Sequence, residues 1–190
     1  HQMEIVIKLS DLYAAEGGSE LSGKEETIAN EIFHILMNKA DVLVRSTLAM
    51  SLSQTDKLPP DLAKQMANDV SEVASPVLQY SDVLSDEDLA DIIHSLADSE
   101  KLSAIAKRDT VSHNISEMLV DTSIDKVVSA LVRNEGADIT EETFEKIAER
   151  HSGSSEVMES VLQRSAVPAT VVDKIIQRVS TSMRQQLEQK

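Results

Sequence analysis

Residues 73–93 read VASPVLQYSDVLSDEDLADII, a short helix carrying a proline, a tight turn and a sharply capped amphipathic helix. Ser85 stands at the N-cap and Asp88 three positions on, where the acid of a capping box belongs, so each side chain can satisfy the other's backbone N–H. Leu84 and Leu89 take the two positions of a hydrophobic staple, and Asp86, Glu87 and Asp88 meet the positive end of the helix dipole. Leu89, Ile92, Ile93, Leu96 and Ala97 then fall at i, i+3, i+4, i+7 and i+8, the stripe that a helix buries on one face. Pro76 bends or begins the first helix and does not mark a domain boundary.

Pieces of this stretch recur. Val73, Ile115 and Val157 stand 42 residues apart, each followed four positions on by Val77, Leu119 or Val161. A second block repeats at the same offset, with Leu102, Ile105, Ala106 and Arg108 matching Phe144, Ile147, Ala148 and Arg150. The stripes Leu89/Ile92/Ile93/Leu96, Ile124/Val127/Val128/Leu131 and Val172/Ile175/Ile176/Val179 echo one another. A period near 42 lies in the range of HEAT and armadillo units, in which each helical unit is stable only when a neighbour covers its second side. The fold expected is an all-α, right-handed α-solenoid of irregular HEAT/armadillo-like repeats. It forms one domain over 3–190: an atypical N-terminal unit (3–70), repeats (71–180) and a polar C-terminal tail (181–190).

Upstream, residues 4–16 suit a short helix ending at Gly17-Gly18. Ser22 and Glu25 form a second capping-box pair, and Ile28, Ile32, Ile35 and Leu36 follow at helical spacing as its buried face. Pro59 and Pro60 open a further helix whose core contacts are Leu62, Met66 and Val70. Between them, Asp41, Val44, Arg45, Leu48 and Ala49 resemble the start of a HEAT-repeat helix. That resemblance implies an aspartate closing the inter-helix turn and an arginine joining a ladder between neighbouring repeats.

Composition agrees with helices. Five glycines and four prolines are too few for the turns of a β-sandwich, and with only Tyr13, Phe33, Tyr80 and Phe144 as aromatics the core is aliphatic. The absence of cysteine excludes disulfides, thiolate metal sites and thiol catalysis, and fits a reducing cytoplasm. No apolar run approaches the roughly 20 residues of a membrane span, and Met3–Lys8 is too short and too charged for a secretory leader. Thirty-three acidic against eighteen basic residues give a net charge of −15, which repels nucleic acid and anionic membrane surfaces; it reads first as a solubility device, with an acidic face that selects a basic protein partner as the sharper alternative.

The chain resembles a bacterial family of HEAT-like proteins, domain-of-unknown-function family 2336. The resemblance rests on Val44-Arg45-x-x-Leu48-Ala49, Leu58-Pro59-x-x-Leu62-Ala63, Val73-Ala74-x-Pro76-Val77-Leu78, Leu84–Leu89, Ala104-Ile105-Ala106-x-Arg108 and Asn134-x-Gly136-Ala137. It implies a helical-repeat fold and no established catalytic activity.

The chemistry-bearing residues fall mostly into structural roles. His94 and Asp98 lie four apart on one helix, but no third or fourth metal ligand stands at recognisable spacing. The acids Asp86–Asp88 and Glu141-Glu142 sit in first helical turns, where the dipole accounts for them. No nucleophile elbow or phosphate loop is present, and Ser152–Ser155 reads as a linker. No catalytic, metal or cofactor site is expected. The reading is a non-catalytic protein–protein interaction scaffold or regulator, cytoplasmic, with homo-oligomerisation open. An enzyme or nucleic-acid binder with a site between repeats is the alternative. Arg108 and Arg150, which repeat at the period, and Met118 and Met158, each in a repeat's first helix, are the candidate partner-binding residues. Val111–Val120 and Ser155–Gln163 supply candidate inner-face helices.

Overall fold

The computed structural model describes residues 2–14, 21–95 and 98–177. Among these residues the chain is all-α. The helices are α1 (Gln2–Ala14), α2 (Gly23–Lys39), α3 (Val42–Leu52), α4 (Pro60–Ala67), α5 (Ser71–Tyr80) and α6 (Asp86–Ser95). They continue with α7 (Ser99–Ala106), α8 (His113–Asp121), α9 (Asp125–Arg133), α10 (Glu141–Arg150), α11 (Ser155–Gln163) and α12 (residues 169–177). The chain divides into two compact units, His1–Ile105 and Ala106–Lys190.

The caps read from the sequence are built. Ser85 N–H and Oγ–H both donate to Asp88 Oδ2 (3.1 and 2.9 Å), and Asp88 N–H returns a bond to Ser85 Oγ (3.3 Å). Leu84 and Leu89 are buried beneath this box, as a staple requires. Glu25 Oε2 accepts from both Ser22 N–H and Ser22 Oγ–H at 2.8 Å. Pro76 lies inside α5, fully enclosed by it, so it neither starts nor ends the helix.

Within unit 1, α1 packs on α3 and α3 on α5, while α2 packs on α4. Within unit 2, α9 packs on α11 and α8 on α10. Alternate helices therefore lie side by side in two layers. Their starts confirm the spacing: α3, α5 and α7 begin at 42, 71 and 99, and α8, α10 and α12 at 113, 141 and 169. The packing unit is two helices of about 28 residues. A 42-residue step carries α5 to α8 and α8 to α11, three helices on. In unit 2 that step also changes layer, because α8 pairs with α10 while α11 pairs with α9.

One face of α2 differs from its reading. The buried positions are Ala29, Phe33 and Met37; Ile28 and Ile35 are 56% and 54% exposed, and Ile32 and Leu36 half-buried. The apolar side chains of α2 span more than half its circumference, so they compete for the inner position. Phe33 wins because an aromatic ring buries the most area and meets Tyr13 edge-to-face, centroids 5.2 Å apart. Elsewhere Leu62 and Met66 are core residues as expected, but Val70 follows the end of α4 and is 44% exposed. In α12 the buried pair is Val171 and Ile175, with Val172 half-buried and Ile176 exposed. Leu96, Ala97, Gly17, Gly18, Val179 and the tail 181–190 lie outside the described residues.

Unit 2 is knitted by the loop after α9. Asn134 donates Nδ2–H to the carbonyls of Ala106 (2.9 Å) and Arg108 (2.6 Å), and its Oδ1 accepts from Gly136 N–H (2.9 Å). Val111 pairs with the loop in an isolated parallel bridge, its N–H on Gly136 O and its carbonyl receiving Asp138 N–H at 2.8 Å. A Cβ on Gly136 would stand 1.9 Å from the Asp109 carbonyl oxygen, so only glycine permits this approach. From the far side Arg164 donates to the carbonyls of Val132, Asn134 and Ala137 at 2.6–2.9 Å, with its guanidinium 5.8 Å from the Phe144 ring centre. The Asn134-x-Gly136-Ala137 signature is thus a clasp of backbone groups.

Candidate interaction surface

The outer faces of the even helices are cross-braced by polar pairs. In unit 1, His34 reaches Gln65 (3.2 Å) and Asp61 (3.3 Å), Gln65 donates to Asn38 (3.0 Å), and Lys64 meets Asp88 at 2.7 Å. In unit 2, Lys146 pairs with Glu117, Arg150 with Asp121 (2.7 Å), Thr170 with Glu141 and Lys174 with Glu145. These pairs lock alternate helices in parallel register. Most of these side chains are partly open to solvent, which screens their charges and leaves each pair a small contributor to stability.

The odd helices of unit 1 differ. Arg45 is the only charged residue of α3, and Glu72 the only one of α5. Arg45 is committed: its Nε and Nη2 grip Asp69 at 2.7 and 2.8 Å and its Nη1 donates to Ala40 O at 2.7 Å. Asp41 caps α3 by accepting Val44 N–H, and Ser71 at the start of α5 bonds Asp98 before α7. The starts of α3, α5 and α7 are thereby tied in a row.

Beyond that row α3 turns apolar side chains outward. Val44, Leu48, Ala49 and Leu52 take the core, leaving Leu43 66% and Met50 58% exposed. Seven residues separate them, two helical turns or about 10 Å along one face. Between them Ser46 and Thr47 turn their hydroxyls onto the Leu43 carbonyl (3.1 and 2.8 Å), so the ridge offers few free polar groups. Tyr80 is 40% exposed at the end of α5. The unit that carries this ridge is negative overall. Residues 1–105 carry 19 acidic and 7 basic side chains, a net −12, whereas 106–190 carry 14 and 11, a net −3.

The four residues expected to contact a partner do not share one environment. Arg108 and Met158 are both largely buried, each about 9% exposed. Arg108 lies in the turn that Asn134 holds, and Met158 is, with Val157, among the buried residues of α11. Arg150 is half-exposed and paired with Asp121, and Met118 is half-buried on α8. The proposed inner-face helices, α8 and α11, belong to different layers. Sequence reasoning passed over Leu43 and Met50. Their signal was present as an apolar pair at i, i+7 offset from the Val44/Leu48/Leu52 stripe.

Among the described residues no group of three His, Asp or Glu side chains converges on a point where a metal ion could sit. His94 is exposed, and Asp98 spends its carboxylate on Ser71 and the Glu100 N–H. No described helix is long and apolar enough to cross a membrane.

The described residues define an all-α protein of paired, layered helices. Residues 73–190 match the family model described as an uncharacterised protein conserved in bacteria (DUF2336), and the chain belongs to that family. No curated protein and no solved structure matches it.

Proposed function

We propose that this chain is a non-catalytic protein–protein interaction scaffold or regulator of the bacterial cytoplasm, built as a HEAT-like α-solenoid and binding its partner on the α3–α5 face. The parallel, in-register packing of alternate helices inside each unit supports the solenoid reading. The Asp41–Arg45–Asp69 row supports its HEAT-like character. The observation that carries the function is the uncharged ridge of Leu43 and Met50 inside a unit of net charge −12. Such a surface fits an amphipathic segment with an apolar seam and basic flanks, because apolar burial supplies the affinity and charge the steering.

Affinity capture from lysate of the native host, read by mass spectrometry, tests this. One stoichiometric protein should be retained by the unaltered chain, released by raised salt, and lost with Leu43→Glu/Met50→Glu. Retention that the double substitution leaves unchanged would refute the assigned face, and the absence of any stoichiometric protein would refute the function.

A further inference from the structure

The flank of α2 that the sequence marks as core leaves Ile28 and Ile35 exposed and Ile32 and Leu36 half-buried, and its pattern is self-complementary. Ile28, Ile32 and Ile35 follow a four-then-three spacing, the seam of a two-helix contact, with Leu36 beside them. Glu25 stands seven residues before Ile32 and Lys39 seven after it, on the same flank. We propose that α2 is a self-association helix, through which two copies of this chain pair antiparallel with Ile32 on the two-fold axis.

In that arrangement Ile28 packs against Leu36 of the partner subunit, and Glu25 meets Lys39 of the partner subunit, each contact made twice as an isologous interface demands. Parallel pairing would set glutamate on glutamate and lysine on lysine, so charge selects the antiparallel form. Glu25 is available for this. Its Oε2 alone serves the capping box with Ser22, and its Oε1 takes no bond there.

Charge also favours a second copy over other occupants. Helices α1 and α2 carry five acidic and three basic residues, against nineteen and seven for residues 1–105, so copies meet here with little of the unit's repulsion. Lys24 and Lys39 border the flank and would oppose the basic segment that the α3–α5 ridge favours. Helix α1, which touches α2, also exposes two apolar side chains, Ile5 and Leu12, at a seven-residue spacing. The inference stands on α2 and is independent of the partner assigned to α3.

Sedimentation velocity over a dilution series up to about 0.1 mM should show a reversible monomer–dimer equilibrium. Ile28→Glu/Ile35→Glu should sediment as a monomer throughout with unchanged helical circular dichroism, since both side chains are exposed in the single chain. Lys39→Glu, wholly at the surface, should weaken pairing about tenfold. Because the chain has no cysteine, single cysteines report the orientation. A mixture of Ile28→Cys and Leu36→Cys chains should form a disulfide heterodimer under oxidation, while Ile28→Cys alone should not cross-link. A monomeric unaltered chain at the highest concentration, or a dimer that survives Ile28→Glu/Ile35→Glu, overturns the proposal. Efficient self-cross-linking of Ile28→Cys overturns the antiparallel geometry.

Discussion

Arg45 holds Asp69 through two parallel N–H···O bonds, 2.7 and 2.8 Å, and both side chains are more than four-fifths buried. The pair joins the first turn of α3 to the residue before the N-cap of α5, so it fixes the register of two helices packed side by side. Removing one partner strands the other charge below the surface. Arg45→Met or Asp69→Asn should cost about 2–3 kcal/mol in urea unfolding. Arg45→Lys should recover little, because a single ammonium cannot reproduce the fork.

The same pair sets an acid limit on stability. Arg45 holds the Asp69 carboxyl below its ordinary range, and Lys64 does the same for Asp88. A carboxylate with a depressed folded-state pKa stabilises the fold above its unfolded value, near 4, and that contribution is lost as pH falls through the folded value. Urea midpoints should therefore be flat from about pH 7 to 5 and fall below about pH 4. In Asp69→Asn the fall should be shallower, starting from a lower plateau. A fall equally steep in the variant would remove Asp69 from the explanation.

Gly136 faces the Asp109 carbonyl so closely that even a methyl group requires the backbone to move. Gly136→Ala should destabilise unit 2 by about 2–3 kcal/mol. Amide exchange should report the loss first at Val111 and Asp138, whose hydrogen bonds form the bridge beside it. Faster exchange spread evenly over unit 2 would contradict a local clash.

Arg164 satisfies three carbonyls that end α9 and shape the following loop. Arg164→Lys keeps the charge but cannot span Val132, Asn134 and Ala137 at once. It should lose about 2 kcal/mol, and Arg164→Met about 3, read as shifts in the unfolding midpoint.

The local architecture was legible in the residues. Ser85 with Asp88, Ser22 with Glu25, and the acids heading α6 and α10 specify helix starts through contacts that span three or four residues, so no distant partner is needed to read them. Asp41 and Arg45 were legible as residues of the turn that begins α3, and the structure adds the partner of Arg45, Asp69. The period was read as 42 because one helix and its connection occupy about 14 residues, roughly four helical turns. A shift of 28 or 42 then lands on the same part of a helix and matches the same apolar stripe. Sequence agreement cannot say whether the equivalent helix is the second or the third along.

The surface was less legible for a related reason. Arg108 and Arg150 match perfectly in sequence, yet one is buried in the turn that Asn134 grips and the other pairs with Asp121 in solvent. Helical spacing states which side chains share a face, and it is silent on what that face meets.

The sequence by itself determined that this chain is helical, where its capped helices begin, which side chains are available for burial, and that its net charge is strongly negative. Those properties follow from torsional preference, capping and composition, all local or additive. Only the tertiary structure decided that alternate helices pair, that Phe33 and not Ile28 turns inward on α2, and that Leu43 and Met50 are left outside. Each of these is a competition among side chains for limited interior space, and its outcome depends on partners tens of residues away.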